Sequence, residues 1–388
     1  MSKKSKSGAN LKDAKDKLEF SDGGTGVEVE DTSGVEIIQP FNPALIRVET
    51  KLLIIDAVLK RISHKEIELA PDFQRKAGIW SPQAQSRLIE SILIRIPLPA
   101  FYMDATDENK WLVVDGLQRL TTLRNFVLDK SLKLIGLEFL TEHDGKTFDD
   151  LPREYRRRIE ETQVAVYLIE KGTPPEVKFN VFKRINTGGL PLSPQEIRHA
   201  LNQGPATIFL KELAEESAFL KATSYSIKDD RMADREFVLR FMAFAITPYK
   251  NYSTREDLDT FLNKKMAELN EMSKLEYSVL KARFVRAMEA ARKIFGNFAF
   301  RKQYEENSYR YPINKALFEA WSTSLDRLSD AELAAVVKSR DQVNCSFIRL
   351  MNNDREFESA ISQGTGDLRK VHKRFSELEK ILRGIIDD

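Results

Sequence analysis

An acid, an amide and a cation fall within one short stretch of the segment KWLVVDGLQRLTTL, Lys110 to Leu123: Asp115, Gln118 and Arg119. An apolar run leads into Asp115-Gly116 and a helix-like stretch follows. The three side chains therefore gather at a strand-to-helix junction, beside backbone N–H groups that a first helical turn leaves unpaired. Such a junction suits a phosphate, with Asp115 binding a divalent ion or orienting water. A bare turn before a solvated helix accounts for the same residues. Asp115 is then a helix cap, Arg119 pairs with a carboxylate at the core edge, and Gln118 bonds backbone.

Three further polar clusters stand at expected element ends: Asp72, Gln74 and Arg75; Lys183, Arg184, Asn186 and Thr187, followed by Gly188-Gly189; and Glu196, Arg198 and His199. Junctions of this kind in an α/β domain tend to converge on one edge, where ligands bind. Convergence would let arginines clamp phosphates, since phosphoryl chemistry mostly needs placed charge. No GxxxxGK[ST] is present, so a P-loop is not the means. Glu196 is also explained by a capping box with Ser193, and His199 by a satisfied place on a helix face. Trp80, Trp111 and Phe182 read as core or near-core packing rather than stacking platforms.

The elements that must position these groups follow from periodicity and punctuation. Leu52 to Leu59 reads as an amphipathic helix. Ser81-Pro82 supplies a cap and a first-turn proline for a helix from Gln83 to Arg95, which ends before Pro97 and Pro99. Ala100 to Met103 and Trp111 to Val114 are adjacent strands, and a helix runs from Gln118 to Leu128. A strand from Gln163 to Ile169 precedes a helix from Pro175 to Ile185, and Ser193-Pro194 opens another. From Ala206 onward the period is helical almost throughout, closing with a helix from Asp367 to Ile386. The expected architecture is α+β: a flexible lead-in over residues 1–34, an α/β domain over 35–220 and an all-helical domain over 221–388.

Composition bounds the class. The 388 residues are 42% hydrophobic without a membrane-length apolar run, and the basic start lacks an apolar signal core. Four scattered histidines and the lone Cys345 exclude a disulfide within the chain and a zinc finger. These features predict a soluble, cytoplasmic, non-membrane protein. Cys345, in VNCSFIRL, reads as a packing residue. With 61 basic and 59 acidic residues the net charge is only +2, so nucleic acid would meet local basic faces such as SKKSKSG and LRKVHKRF. Helices at Leu275 to Ile294 and Asp367 to Ile386 are long enough for a homo-oligomer seam, or their stripes are consumed by the domain's own core.

The motifs PDFQRKAGIW, LIESILIRIPLP, VVDGLQRLTTL, FKRINTGGLPLSPQEIRHAL and NNDREFESAISQGTGDLRKVHKRF, in this order, resemble the prokaryotic DUF262 family. Its members include the S-side of GmrSD-type modification-dependent restriction enzymes. The resemblance implies a ParB/sulfiredoxin-like N-terminal domain and a nucleotide site of Asp115, Gln118 and Arg119, surrounded by Gln74, Arg75, Gly116, Arg184, Asn186 and Gly188. It implies an NTP as substrate or ligand, with Mg²⁺ at Asp115. The family's central motif is usually DGQQR; this chain carries Leu117 at the first glutamine, removing one amide.

The function that follows is a DNA-sensing nucleoside triphosphatase of an anti-phage, modification-dependent defence system. DNA, with or without modification, would be its partner, with a separate nuclease subunit because no HNH-type metal finger is legible. Two alternatives stand beside it: a non-catalytic nucleotide- or DNA-binding regulatory subunit, and a direct phosphodiesterase that nicks DNA with metal-bound water.

Overall fold

Short β-rich runs and amphipathic helices alternate up to Leu201, after which the chain is helical. The computed structural model describes residues 26–30, 46–69, 80–185, 192–228, 230–253, 257–306 and 309–387, and these divide into two units.

The α/β unit carries β1 (Val48–Ile54), α1 (Ile55–Ser63), β2 (Ile67–Glu68), α2 (Pro82–Leu93), β3 (Phe101–Asp107), β4 (Lys110–Asp115), α3 (Leu117–Leu123), α4 (Arg153–Glu161), β5 (Gln163–Glu170), α5 (Pro175–Ile185) and α6 (Pro194–Leu201). The sheet order is β1-β5-β3-β4-β2. β1 and β5 are antiparallel, β5 and β3 parallel, β3 and β4 an antiparallel hairpin, and β4 and β2 parallel. Strand alternation sorts the two faces. Phe101, Met103, Trp111, Val113, Val164 and Val166 join the core under α1 to α4. Val114 and Ile169 face Phe179, Phe182 and Ile197 of α5 and α6.

The region read as one helix from Leu52 divides between β1 and α1. Apolar residues spaced three and four apart suggested a helix, but Leu52 pairs with Ala165 across the ladder and Ile54 with Gln163. Ser81 caps α2 as expected, accepting a hydrogen bond from the Ala84 N–H, with Pro82 at the first helical position. α3 runs into a π-helical turn, Arg124–Leu128, in place of continued α-helix. The capping box of α6 is complete: Glu196 N–H donates to Ser193 Oγ at 3.1 Å, and Ser193 N–H to Glu196 Oε2 at 2.6 Å.

The helical unit contains α7 (Pro205–Ala214), α8 (Ser217–Ala222), α9 (Ala233–Ile246), α10 (Leu258–Asn270), α11 (Lys274–Phe295), α12 (Lys315–Asp326), α13 (Asp330–Lys338), α14 (Arg340–Asn353), α15 (Arg355–Ser362) and α16 (Leu368–Ile386). The division falls after Leu201, earlier than the boundary at 220 read from periodicity. Phe209, Leu210 and Leu213 of α7 and Phe219 of α8 bury in the same core as Phe241, Phe284 and Phe318, so both helices belong to the second unit. Part of the lead-in belongs there too. Val27 is 2% exposed, the Glu28 N–H donates to the Ile313 carbonyl at 2.8 Å, and Glu30 reaches the Arg240 guanidinium at 2.5 Å.

The stripes of α11 and α16 are consumed internally: Leu280, Phe284 and Met288, with Val371, Phe375 and Leu378, all enter this core. Cys345 is exposed, its Sγ donating to Glu306 Oε1 at 3.3 Å, which corrects the expectation that it packs. Its helical turn presents Val343 and Phe347 inward instead. None of the described helices is long and apolar enough to cross a membrane.

Candidate functional site

β4 ends at Asp115 because Gly116 turns the chain through φ +98°, a left-handed conformation that glycine adopts without steric cost. The turn also needs the absence of a side chain. A Cβ on Gly116 would overlap the Phe101 ring at Cδ1 and lie 2.9 Å from Cε1. α3 starts directly behind it, with Leu120 and Leu123 in the core.

Asp115 does not cap α3, whose start has no side-chain cap. Its Oδ2 accepts from Arg119 Nη2 at 2.9 Å. Burial pushes the Asp115 carboxyl above its ordinary range, against the opposing pulls of the Arg119 charge and the Gly116 N–H. The carboxylate keeps 23% exposure, whereas the Arg119 side chain keeps only 11%.

Arg119 is spent on the framework. Nη1 donates to the Pro99 carbonyl, Nη2 also donates to the Ala100 carbonyl at 3.2 Å, and the guanidinium lies 4.7 Å from the Phe101 ring centroid. One side chain thus ties the entry of β3 to the exit of β4. The phosphate-clamp expectation meets a guanidinium already engaged by an acid, two carbonyls and an aromatic face.

Gln118 has a comparable post. Its Oε1 accepts from the Trp80 N–H at 3.2 Å, while the Trp80 carbonyl accepts from Gln85 Nε2 at 2.8 Å. These two amides hold the residue that ends the PDFQRKAGIW motif. Gln74 and Arg75, within that motif, lie outside the described residues, as do Asn186 and Gly188. Arg184 stands exposed in the last turn of α5. Phe182, one turn away at most, shares a core cluster with Val114 of β4, so the end of α5 approaches the same sheet edge as Asp115. Leu117 packs against the main apolar core, so the position at which the family usually carries glutamine points inward here.

Asp115, Gln118 and Arg119 thus stand together at one junction, near the sheet edge that the end of α5 approaches. Glu196, Arg198 and His199 are buried on α6, at 0%, 1% and 9% exposure, as parts of the framework. Among the described residues, no group of three or more His, Cys, Asp or Glu could hold a metal ion. Asp115 is the carboxylate that the junction itself supplies. That suits Mg²⁺, a hard cation usually held by one or two carboxylates with waters and substrate phosphates, better than a metal needing a full protein cage.

Two charged features escaped the sequence reading. Lys178 of α5 is 7% exposed and donates to both oxygens of Asp104, at 3.2 and 3.1 Å, and to Thr106 Oγ1. An acid inside the strand FYMDATD was the available signal, because a buried carboxylate requires a partner. At the opposite end of the sheet, a polar cavity of about 410 Å³ is lined by Lys51, Arg61, Trp111 and Lys171 among others. Arg61 lies 4.3 Å from the Trp111 ring centroid, so the indole is already covered by a cation.

Comparison with curated proteins gives no match to this chain. Residues 57–202, spanning α1 through α6, match the family model described as GmrSD restriction endonuclease, N-terminal domain. The region that carries the Asp115-to-Arg119 junction thus matches the GmrSD restriction endonuclease N-terminal domain family.

Proposed function

We propose that the chain is a DNA-sensing nucleoside triphosphatase of a prokaryotic modification-dependent defence system, working with a separate nuclease subunit in the cytoplasm. Its α/β unit would be ParB/sulfiredoxin-like. The observation that carries the reading is the held but accessible carboxylate of Asp115: one oxygen is fixed by Arg119, and the group faces a junction built by Gly116.

In this reading Asp115 is the catalytic residue, presenting negative charge to a Mg²⁺–NTP complex and orienting the attacking water. Bound Mg²⁺ would neutralise charge on the phosphates. Arg119 and Gln118 act as positioning residues, the first through Asp115 and the second through the Trp80 backbone. Phosphate-facing cations would then come from Arg75 and Arg184, with Gln74, Asn186 and Gly188 completing the pocket.

The test is phosphate release from each of the four NTPs with Mg²⁺, with and without modified DNA, for wild type and Asp115→Asn. DNA-stimulated turnover that disappears in a folded Asp115→Asn protein is the expected result. Undiminished turnover in that variant would overturn the assignment of Asp115. A second reading, a non-catalytic nucleotide- or DNA-binding subunit, is favoured by the engagement of Arg119 and Gln118 in the framework. Saturable nucleotide binding by wild type with no product above background would select it.

A further inference from the structure

β1 ends the sheet, and its outer side pairs with no strand among the described residues. The ladder with β5 fixes which backbone groups face outward. Glu170 N–H donates to the Arg47 carbonyl and Ile55 N–H to the Thr162 carbonyl, and the register between them is unbroken. Odd-numbered residues therefore spend their backbone groups on β5, and Val48, Thr50, Leu52 and Ile54 direct theirs away from the sheet. The side chains of Val48, Leu52 and Ile54 are also exposed, at 41%, 69% and 39%. An edge with this much exposed apolar surface and unpaired backbone is a template for another strand.

We infer that the occupant is a second copy of β1, paired antiparallel about a twofold axis through Thr50. In that register the outward-facing residues oppose one another as the backbone requires: Thr50 meets the partner's Thr50, and Val48 meets the partner's Leu52. Ile54 meets the partner's Ile46. On the other face Glu49 lies opposite the partner's Lys51, and Lys51 opposite the partner's Glu49. Within one chain Lys51 and Glu49 already stand 3.0 Å apart, so pairing would close a four-charge cluster of alternating sign.

Charge disfavours the two registers one residue to either side. Sliding the strands so that the axis passes through residue 49 sets glutamate against glutamate, and through residue 51 sets lysine against lysine. Like charges directly opposite are destabilising. A strand whose charges are complementary to its own reverse copy in one register suits a closed isologous dimer, joining two sheets into one.

The test uses the full chain. Sedimentation equilibrium should show a monomer–dimer equilibrium for wild type, weakened about tenfold by Glu49→Lys, which creates two like-charge pairs. The double change Glu49→Lys/Lys51→Glu should restore the wild-type affinity, since it reverses both members of each pair. Thr50→Pro should give a folded monomer, because the lost N–H points away from β5. A Thr50→Cys chain in a Cys345→Ser background should cross-link under oxidation, opposed residues being about 5.5 Å apart at Cα in such a pair. A wild type that stays monomeric at high concentration overturns the inference. So does a dimer indifferent to Glu49→Lys, or a double variant that fails to recover.

Discussion

Replacing Arg119 by methionine should loosen the β4-to-α3 junction before it affects anything else. The change strips the Asp115 carboxylate of its 2.9 Å partner and leaves the Pro99 and Ala100 carbonyls without their donor. Removing one member of a fully buried ion pair costs about 3–5 kcal/mol. Asp115 retains 23% exposure and can recover some hydration, so the expected cost is about 2–3 kcal/mol. If α3 opens locally, that energy corresponds to roughly 30- to 150-fold faster amide exchange over residues 117–123. Hydrogen exchange followed by mass spectrometry on the full chain reads this directly, with α11 as an internal reference that should not change. Arg119→Lys keeps a charge but not the forked geometry, and should fall between. Exchange within about twofold of wild type, accompanied by loss of nucleotide turnover, would refute the framework role and make Arg119 a ligand contact.

Gly116→Ala should destabilise the α/β unit by about 2 kcal/mol or more through backbone strain and overlap with Phe101, with partial recovery in combination with Phe101→Leu; thermal melts of the two variants check it. Glu30→Gln should lower the stability of the helical unit by about 2–4 kcal/mol, because Arg240 is 3% exposed and shares Glu30, Glu236 and Glu319. Burial works to raise the Glu30 carboxyl, but Arg240 and Lys315 hold it below its ordinary value of 4.5. The stabilisation is thus present above pH 4.5 and lost as pH falls below it, and a melting series should show a shallower acid limb in Glu30→Gln. The Tyr249 phenol, donating to Glu379 Oε2 at 2.8 Å, is pushed up to about 12 by burial, with Glu379 adding to the shift. Its contribution is complete below pH 10 and lost as pH rises toward 12, so Tyr249→Phe should flatten the alkaline limb of the stability profile.

What the sequence by itself determined is local. The capping box of Ser193 and Glu196, the proline-led start of α2, the span Pro175–Ile185 and the strand stop at Asp115-Gly116 each depend on groups a few residues apart. Their energetics are set by backbone geometry and near neighbours, which composition and spacing express directly. The same locality placed Asp115, Gln118 and Arg119 at one junction, and the family resemblance read from the motifs is matched over residues 57–202.

Tertiary structure decided what those groups do. Leu52 to Ile54 have a pattern compatible with helix, and become an edge strand because Ala165 and Gln163, far along the chain, offer a ladder. Arg119 read as a phosphate clamp or as the partner of a core-edge carboxylate, and Asp115, Pro99, Ala100 and Phe101 decide between them by closing around it. Leu117 stands in place of an amide, and its side chain packs against the core. Glu30 read as part of a lead-in, and its role depends on an arginine 210 positions away. Burial and long-range pairing are properties of the folded whole: a short window encodes which groups are available, while the cost of removing them from water is set by whatever the rest of the chain brings beside them.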